Sequence, residues 1–217
     1  MADEQDHHPP RPEALALLRV VPKLGPIAAQ YLVDRHEYRS RRAEEFVDDV
    51  TRGARLDVAE LFERIRNDPR LAAMFEQAVE AAVAEVDARK RKGLARALTS
   101  GLIAADDAEV DVAQLVLSTL NNLQPAHVRL LDLLKKLPPL EGHAQLSPGT
   151  PLADSDIHAL WPGVGNALTV VAAQLLSWGL IINVNTGLVG GHTEGRYSVS
   201  PFGEAVYGYL EEEASGS

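Results

Sequence analysis

Apolar side chains recur at helical spacing along most of the chain, and this pattern predicts a largely helical fold. The clearest helix follows Asn67 and Asp68 and has Pro69 at its first position. Its apolar residues share one face, as in a helix that packs on a core: Leu71, Met74, Phe75, Ala78, Val79, Ala82, Val83 and Val86. This stripe marks the centre of a predicted helical body.

Other helices are predicted on both sides of this stripe. Glu44 to Ile65 is predicted to form a long helix broken near Gly53, and its second part begins with a capping box at Asp57 and Glu60. Leu94 to Ala104 is predicted to form a short helix. The helix after it is predicted to continue through these apolar positions: Val112, Leu115, Val116, Thr119, Leu120 and Leu123.

The last third of the chain predicts the element order of a winged helix-turn-helix. Three helices come first, Gly179 ends the third, and two strands and a final helix follow. The predicted elements are helices Pro125 to Leu137, Ser155 to Trp161 and Asn166 to Trp178, strands Leu180 to Val184 and Arg196 to Val199, and a helix that Ser200 and Pro201 open and that runs to Leu210. The predicted fold class is mostly α: a helical body followed by a C-terminal winged helix-turn-helix with a two-stranded β wing.

Composition divides the chain into four segments. Residues 1–12, which are acidic and rich in proline, are predicted to be a disordered tail, and residues 13–123 the helical body. Residues 124–213 are predicted to be the winged-helix-like domain, and residues 214–217 a second disordered tail. Pro138 to Asp154, rich in proline and glycine, is predicted to be either an exposed loop or the boundary between the body and the C-terminal module.

The charge of the chain weighs against a general polyanion binder. The net charge is −10 at pH 7, and residues 101–217 hold 4 basic against 13 acidic side chains. Lys and Arg supply most of the non-specific affinity for nucleic acid, so this balance is unfavourable. The chain has no cysteine, which excludes disulfides, thiolate metal sites and a cysteine nucleophile and fits a reducing cytoplasm, the predicted localisation.

The predicted third helix of the winged-helix module has no charged side chain, and none occurs between Asp156 and Glu194. A DNA-reading helix needs Arg, Lys, Asn or Gln on its outer face and basic residues on the wing. Duplex DNA is therefore disfavoured, and a membrane span is disfavoured by the interrupting polar residues. The preferred prediction is contact with a protein partner or a homo-oligomer, through the candidate partner-binding residues Asn166, Thr169, Val170, Ala173, Gln174 and Ser177.

Two basic segments in the first half are candidate contacts for nucleic acid or for an anionic membrane surface. The first follows Glu13 to Val33, an apolar segment that is predicted to form a helical hairpin. Acidic residues interleave with the first segment and adjoin the second, so a solvated helix is the favoured interpretation of the first and a solvated turn or helix end that of the second. The candidate residues are Arg35, Arg39, Arg41 and Arg42 in the first segment, and Arg89, Lys90, Arg91 and Lys92 in the second.

No motif for catalysis or for cofactor binding occurs in the sequence. Phosphate-binding glycine loops, the Gly-x-Ser-x-Gly elbow and the His-Glu-x-x-His pair are missing. The acidic cluster from Asp106 to Asp111 lacks the glycine and glutamate of an EF-hand loop, and a helix N-terminus explains it better. We therefore predict no enzymatic activity, no catalytic or metal-binding residues, no cofactor and no small-molecule substrate.

Two resemblances extend this prediction. The segments Leu175 to Ile181 and Tyr197 to Gly203 resemble the ending of many bacterial winged-helix proteins. The basic pair Arg41 and Arg42 before one helix, Arg89 to Arg96 entering another, and Gln124 to His127 opening a third are similar to the Abi-alpha family, bacterial proteins associated with abortive infection. That resemblance implies a helical body with a winged helix, in a bacterial intracellular protein of phage defence without an established catalytic centre.

The leading hypothesis is therefore a non-enzymatic bacterial interaction protein that uses its winged-helix-like module for protein contact or self-association. The first alternative is a DNA-binding transcriptional regulator that uses the basic segments of the first half. The second alternative is a peripheral membrane protein that attaches through the hairpin at Glu13 to Val33.

Overall fold

A computed structural model describes residues 25–136, 150–184 and 195–211, with side chains from residue 34 onward. The predicted tails, the first arm of the predicted hairpin, Leu137 and most of the predicted loop at Pro138 to Asp154 lie outside these residues. The chain forms two compact units, Met1–Glu45 and Phe46–Ser217. The predicted domain boundary at residue 124 falls within the second unit.

The described residues are mostly helical and include a small antiparallel sheet near the C-terminus. The helices are α1 (Gly25–Ala54), α2 (Val58–Asn67), α3 (Pro69–Ala84), α4 (Ala88–Leu102), α5 (Asp107–Asn122), α6 (Pro125–Lys136), α7 (Asp154–Leu160), α8 (Ala167–Ser177) and α9 (Pro201–Leu210), with a 3-10 helix at Pro162–Val164. The strands are β1 (Leu152–Ala153), β2 (Ile181–Asn183) and β3 (Arg196–Val199). The mostly α fold class is confirmed, and α1 includes Ile27 to Val33, the second arm of the predicted hairpin.

Short-range capping signals set the helix ends in the body, as predicted. α1 ends near Gly53, and Arg55 takes a left-handed backbone conformation with φ of 55°. At the start of α2, the Asp57 carboxylate accepts the Glu60 N–H at 2.8 Å and the Glu60 carboxylate accepts the Asp57 N–H at 3.0 Å. The Asp68 carboxylate caps α3 by accepting the Arg70 N–H at 2.8 Å, and Pro69 takes the first helical position.

α4 lies at the centre of the second unit and packs against α3, α5 and α9. Its apolar side chains, among them Leu94 and Leu98, are fully buried. α4 begins at Ala88, six residues before the predicted start at Leu94, because Asp87 caps the helix and the basic run is helical. The core of this unit is therefore built around a helix that begins with charged residues.

Two apolar positions on α5 face solvent instead of the core. Val112 and Leu115 are 58% and 54% exposed. The buried side of α5 includes Val110, Ala113 and Leu117. Gly101 of α4 lies close to Ala113, so α4 and α5 approach through small residues. Val86, which was predicted to lie on the core stripe, follows the end of α3 and is 81% exposed.

The C-terminal elements lie within one residue of their predicted bounds, but the sheet has a third strand. The strand order is β1-β3-β2, with Ile181 opposite Val199 and Leu152 opposite Tyr197. The two predicted strands, β2 and β3, pair antiparallel with each other, and β1 was not predicted. β1 has only two residues, which is too short for an alternating pattern to mark it in the sequence.

Gly203 of α9 permits the closest approach between this helix and the sheet. A Cβ atom added at Gly203 would overlap the carbonyl oxygen of Leu180. We expect Gly203→Ala to lower the free energy of unfolding by about 2 kcal/mol or more, because the backbone of a packed element must move. Chemical denaturation monitored by circular dichroism measures this change.

Gly208 on the same helix is the matched control, because it is exposed and a Cβ there meets no atom within 4 Å. Gly208→Ala should raise the free energy of unfolding by about 0.5–1 kcal/mol through helix propensity. Equal effects of the two substitutions would contradict the close approach at Gly203.

Candidate interaction surfaces

α8 has a buried face and an exposed face. Its buried side chains, Leu168, Val171, Ala172 and Leu175, point into the core, and the helix packs against α6. The opposite side exposes all six candidate partner-binding residues, and we call this the outer face of α8: Asn166, Thr169, Val170, Ala173, Gln174 and Ser177. The outer face has no charged side chain, and Val170 is 59% exposed.

The strand that follows α8 also exposes an apolar side chain. Gly179 ends the helix in a left-handed conformation with φ of 70°, and the chain enters β2. Ile181 is buried, whereas Ile182 is 45% exposed. Single exposed apolar residues are common, but Val170 and Ile182 belong to neighbouring elements that are both uncharged.

His127 of α6 holds Gln174 from inside the protein. Its Nδ1 accepts the backbone N–H of Gln124 at 2.9 Å. Because that amide can only donate, the ring hydrogen is assigned to Nε2, which donates to Gln174 Oε1 at 2.6 Å. The buried ring packs edge-on against Trp178, with centroids 4.9 Å apart. The oxygen of the Gln174 amide is therefore held by the buried His127.

The basic run from Arg89 to Lys92 forms the first turn of α4, and Asp87 caps this turn. Positive side chains at the N-terminus of a helix are unfavourable for the helix dipole. Their position is explained by other helices, because they reach carbonyl oxygens at the C-terminal ends of α3, α5 and α9. Together with Arg96 they form a group that we call the α4 clamp: Arg89, Lys90, Arg91 and Arg96.

Two members of the clamp satisfy the ends of α3 and α5. Arg91 Nη1 donates to the carbonyl of Val86 at 2.9 Å, just beyond α3. Lys90 Nζ donates to the carbonyl of Leu123 at 2.5 Å, at the end of α5, and forms an ion pair with Glu85 at 2.8 Å. Burial alone would raise the pKa of Glu85, but the hydrogen bond from Lys90 holds that pKa below its usual value.

The other two members hold the end of α9. Arg89 Nε donates to the carbonyl of Leu210 at 2.8 Å. Arg96 Nη1 donates to the carbonyl of Tyr209 at 3.0 Å and also to that of Glu211. α9 therefore ends on guanidinium groups of α4, which complement the partial negative charge of a helix C-terminus.

Arg89 also ties α4 and α9 to α6. Its two terminal nitrogens each donate to an oxygen of Asp132 at 2.9 Å, the bidentate geometry of a strong pair. The hydroxyl of Tyr207 donates to the same carboxylate at 2.5 Å. Burial alone would raise the pKa of Asp132, but these two donors hold it below the ordinary value. Burial and the bond to Asp132 raise the pKa of the Tyr207 hydroxyl.

The solvated-surface interpretation of this run was wrong for three of its members. Lys90 is 7% exposed, and Arg89 and Arg91 are half-buried, whereas Lys92 is exposed as expected. The sequence shows four adjacent cations, but their acceptors lie up to 121 positions away in the chain. As candidate nucleic-acid or membrane contacts, Arg89, Lys90 and Arg91 are therefore already engaged in hydrogen bonds to backbone carbonyls of this protein.

The basic segment of α1 is more exposed. Arg35, Arg39 and Arg41 face solvent, as the solvated interpretation predicts. Arg42 is 8% exposed, so that interpretation was wrong for this residue, and its guanidinium lies 4.3 Å from the centre of the Tyr38 ring. The segment therefore contains three exposed cations within a 30-residue helix.

An open groove of about 730 Å³ lies beside α2. Arg64 at its side donates to the carbonyl of Leu102 at 2.9 Å, and Asp68 in its lining caps α3. The other lining residues are Leu56, Ala59, Glu60, Glu63, Asn67, Leu71 and Leu102. Its polar groups thus include several with structural roles.

The acidic cluster after α4 serves as a helix start, as predicted. The Asp106 carboxylate accepts the N–H of Glu109 at 3.0 Å at the start of α5. Across residues 34–136, 150–184 and 195–211, no three His, Asp or Glu side chains are grouped so as to hold a metal ion. Among the helices that the structure describes, none combines the length and the apolar character needed to cross a membrane.

Comparison with known proteins adds no relative. No protein-family model, no curated protein and no solved structure matches this chain. The resemblance to the Abi-alpha family therefore stays a prediction. The features that bear on function are the outer face of α8 and the α4 clamp, which holds the surrounding helices.

The buried lysine of the clamp gives a direct test of its structural role. Lys90→Met removes the donor to the Leu123 carbonyl and the ion pair with Glu85. We expect the free energy of unfolding to fall by about 3 kcal/mol, the cost of breaking a largely buried pair. Lys92→Met at the exposed neighbouring position should lower it by no more than about 1 kcal/mol, because water screens the interactions of an exposed charge. Equal effects would show that the burial of Lys90 is unimportant for stability.

The pair between Arg89 and Asp132 predicts a dependence of stability on pH. The pKa of Asp132 is lower in the folded than in the unfolded chain, so its stabilisation is complete above the unfolded value and is lost as the pH falls through the folded value. Asp132→Asn should lower the free energy of unfolding by about 2–3 kcal/mol near pH 7, and the difference from wild type should shrink below about pH 4. Urea denaturation across this pH range measures it.

The control for this prediction is Asp111→Asn, a substitution of an exposed aspartate on α5. It should leave both the stability and its pH profile close to those of the wild type. A constant difference between Asp132→Asn and wild type at all pH values would contradict the assigned charge on Asp132.

Proposed function

We propose that this chain is a non-enzymatic interaction protein of the bacterial cytoplasm, and that residues 124–213 form a winged helix-turn-helix that binds protein. The order of elements supports the winged helix, because α6, β1, α7, α8, β2 and β3 follow one another as helix, strand, two helices and two strands. The sheet order β1-β3-β2 supports it too, since the first strand of that fold pairs with the last. In this arrangement α8 is the third helix.

The observation that carries the proposal is the uncharged outer face of α8. In helix-turn-helix proteins that bind DNA, the corresponding helix enters the major groove and basic side chains contact the phosphates. Here the outer face has six neutral residues. Of the cations in the described part of this module, Lys135 pairs with Glu204, Lys136 lies 3.8 Å from Asp132 and Arg129 lies over the Trp161 ring, whereas Arg196 at the start of β3 is exposed. Such a surface lacks the counter-charge that nucleic-acid binding requires.

The orientation of Gln174 also favours protein over DNA. A glutamine reads adenine by using its oxygen and its NH₂ group together. In Gln174 the oxygen already accepts the hydrogen of His127 Nε2, which competes with that two-point contact. The NH₂ group can donate to a carbonyl or hydroxyl oxygen of a protein surface. Asn166 is then the one other amide on the outer face.

The place of this function in phage defence is proposed on the resemblance to the Abi-alpha family. That resemblance implies no established catalytic centre, which is compatible with an interaction protein. A transcriptional regulator remains the alternative class, and the exposed Arg35, Arg39 and Arg41 on α1 are the observation that favours it.

Site-specific photo-crosslinking in the bacterium that encodes the chain tests the proposal. A benzophenone amino acid at position 173 of the full chain should give adducts with protein, because Ala173 lies in the middle of the outer face. The same group at position 205, an exposed alanine on α9, is the control and should give few adducts. Mass spectrometry of the adducts identifies what was bound.

Two results would contradict this proposal. The first is an equal yield of protein adducts at positions 173 and 205. The second is saturable binding of a labelled DNA duplex that weakens steeply with salt and is lost in an Asn166→Ala variant, since that would make α8 a reading helix.

A further inference from the structure

The outer face of α8 has a sequence that can pair with itself. Asn166, Val170, Ala173 and Ser177 follow one another at intervals of four, three and four residues, and all four are exposed. This is the spacing of the seam positions through which two helices pack side by side. Thr169 and Gln174 lie on opposite flanks of the seam, and the buried face of the helix is on the other side.

A two-fold axis between positions 171 and 172 makes this seam complementary to its own copy. In an isologous pair, each contact between residues i and j occurs twice, once from each copy. For two antiparallel copies of α8, this axis places Asn166 opposite Ser177 and Val170 opposite Ala173. Polar side chains then meet polar side chains, and the larger Val170 meets the smaller Ala173, so that the two helices can approach closely.

Charge also favours a second copy as the occupant of this face. Each copy has a net charge of −10, so two copies repel each other wherever their charged surfaces meet. The chain has no Asp, Glu, Lys or Arg between Asp156 and Glu194, and the outer face lies within this segment. It is a surface at which two acidic copies can meet without opposing like charges directly.

We propose that the partner of the outer face is a second copy of this chain, docked antiparallel in this register. The inference rests on the proposed function and names its partner. α8 has 11 residues and is about 16 Å long at ~1.5 Å per residue, so the pair buries less than the roughly 800 Å² per partner of a standard interface. Association is therefore reversible, with a Kd that is roughly micromolar or weaker.

The absence of cysteine from the chain allows this register to be tested by disulfide crosslinking. Asn166→Cys and Ser177→Cys are prepared as separate full-length variants and then mixed under mild oxidation. The mixture should form a crosslinked dimer between the two variants, because the proposed register brings positions 166 and 177 together. Each variant alone should crosslink poorly, since identical positions lie about 16 Å apart along the helix axis and a disulfide needs Cα atoms within about 7 Å.

Val170→Glu in both variants should abolish the mixed crosslink, because it places two carboxylates in the seam. Val170 is 59% exposed, so this change leaves the fold intact, and circular dichroism checks that it does. Ala205→Glu, an added charge on exposed α9, should leave the crosslink unchanged. Sedimentation velocity of the cysteine-free wild type should show a dimer that grows with concentration and is lost in Val170→Glu.

Equal crosslinking of each variant with itself would overturn the antiparallel register. A chain that stays monomeric up to millimolar concentration, with no mixed disulfide, would overturn the second copy as partner. In that case protein adducts at position 173 with a different protein would leave the proposed function standing. If no protein adduct forms at position 173, the proposed function is overturned as well.

Discussion

The C-terminal ends of three helices accept hydrogen bonds from cationic side chains of α4, and the fold of the second unit depends on these bonds. Every α-helix leaves its last carbonyl groups without partners, and they carry partial negative charge. α3, α5 and α9 bring such ends close to the start of α4, where Arg91, Lys90 and Arg89 donate to them. Without Lys90, the carbonyl of Leu123 would lose the donor of a buried hydrogen bond, at a cost of about 1–3 kcal/mol.

The same contacts hold the candidate interaction face in place. Arg89 links α4 to Asp132 of α6, and Tyr207 of α9 donates to the same carboxylate. α6 in turn supports α8, through packing and through the bond between His127 and Gln174. The uncharged outer face therefore belongs to a helix whose packing partner, α6, is held in place by these contacts. A surface held in this way loses little conformational entropy when it binds a partner.

Sequence reasoning succeeded where structure depends on near neighbours. The caps at Asp57 and Asp68, the stop at Gly179 and the start at Ser200 each involve residues within a few positions, and all are found. It failed where the partner is distant in the chain. β1 exists because Leu152 pairs with Tyr197, which lies 45 positions away in the chain.

The candidate site divides in the same way. The periodicity of α8 was enough to place its six outer residues together, because burial follows from helical spacing. The burial of Lys90 and the role of His127 were not predictable, since their acceptors at Leu123 and Gln174 belong to other elements. Only the role of His127 has a local signal in the sequence. This signal is a histidine in the first turn of a helix that opens with proline, as at Gln124 to His127.

The long reach of Arg89 has a consequence for folding. Its contact with Leu210 spans 121 positions, and α9 has only 10 residues, too few for a stable helix in isolation. α9 can therefore gain its full stability only after α4 and α6 have assembled, which makes its docking a late, non-local event. The second unit should accordingly unfold in one cooperative transition, in which the loss of α9 coincides with the loss of its other helices.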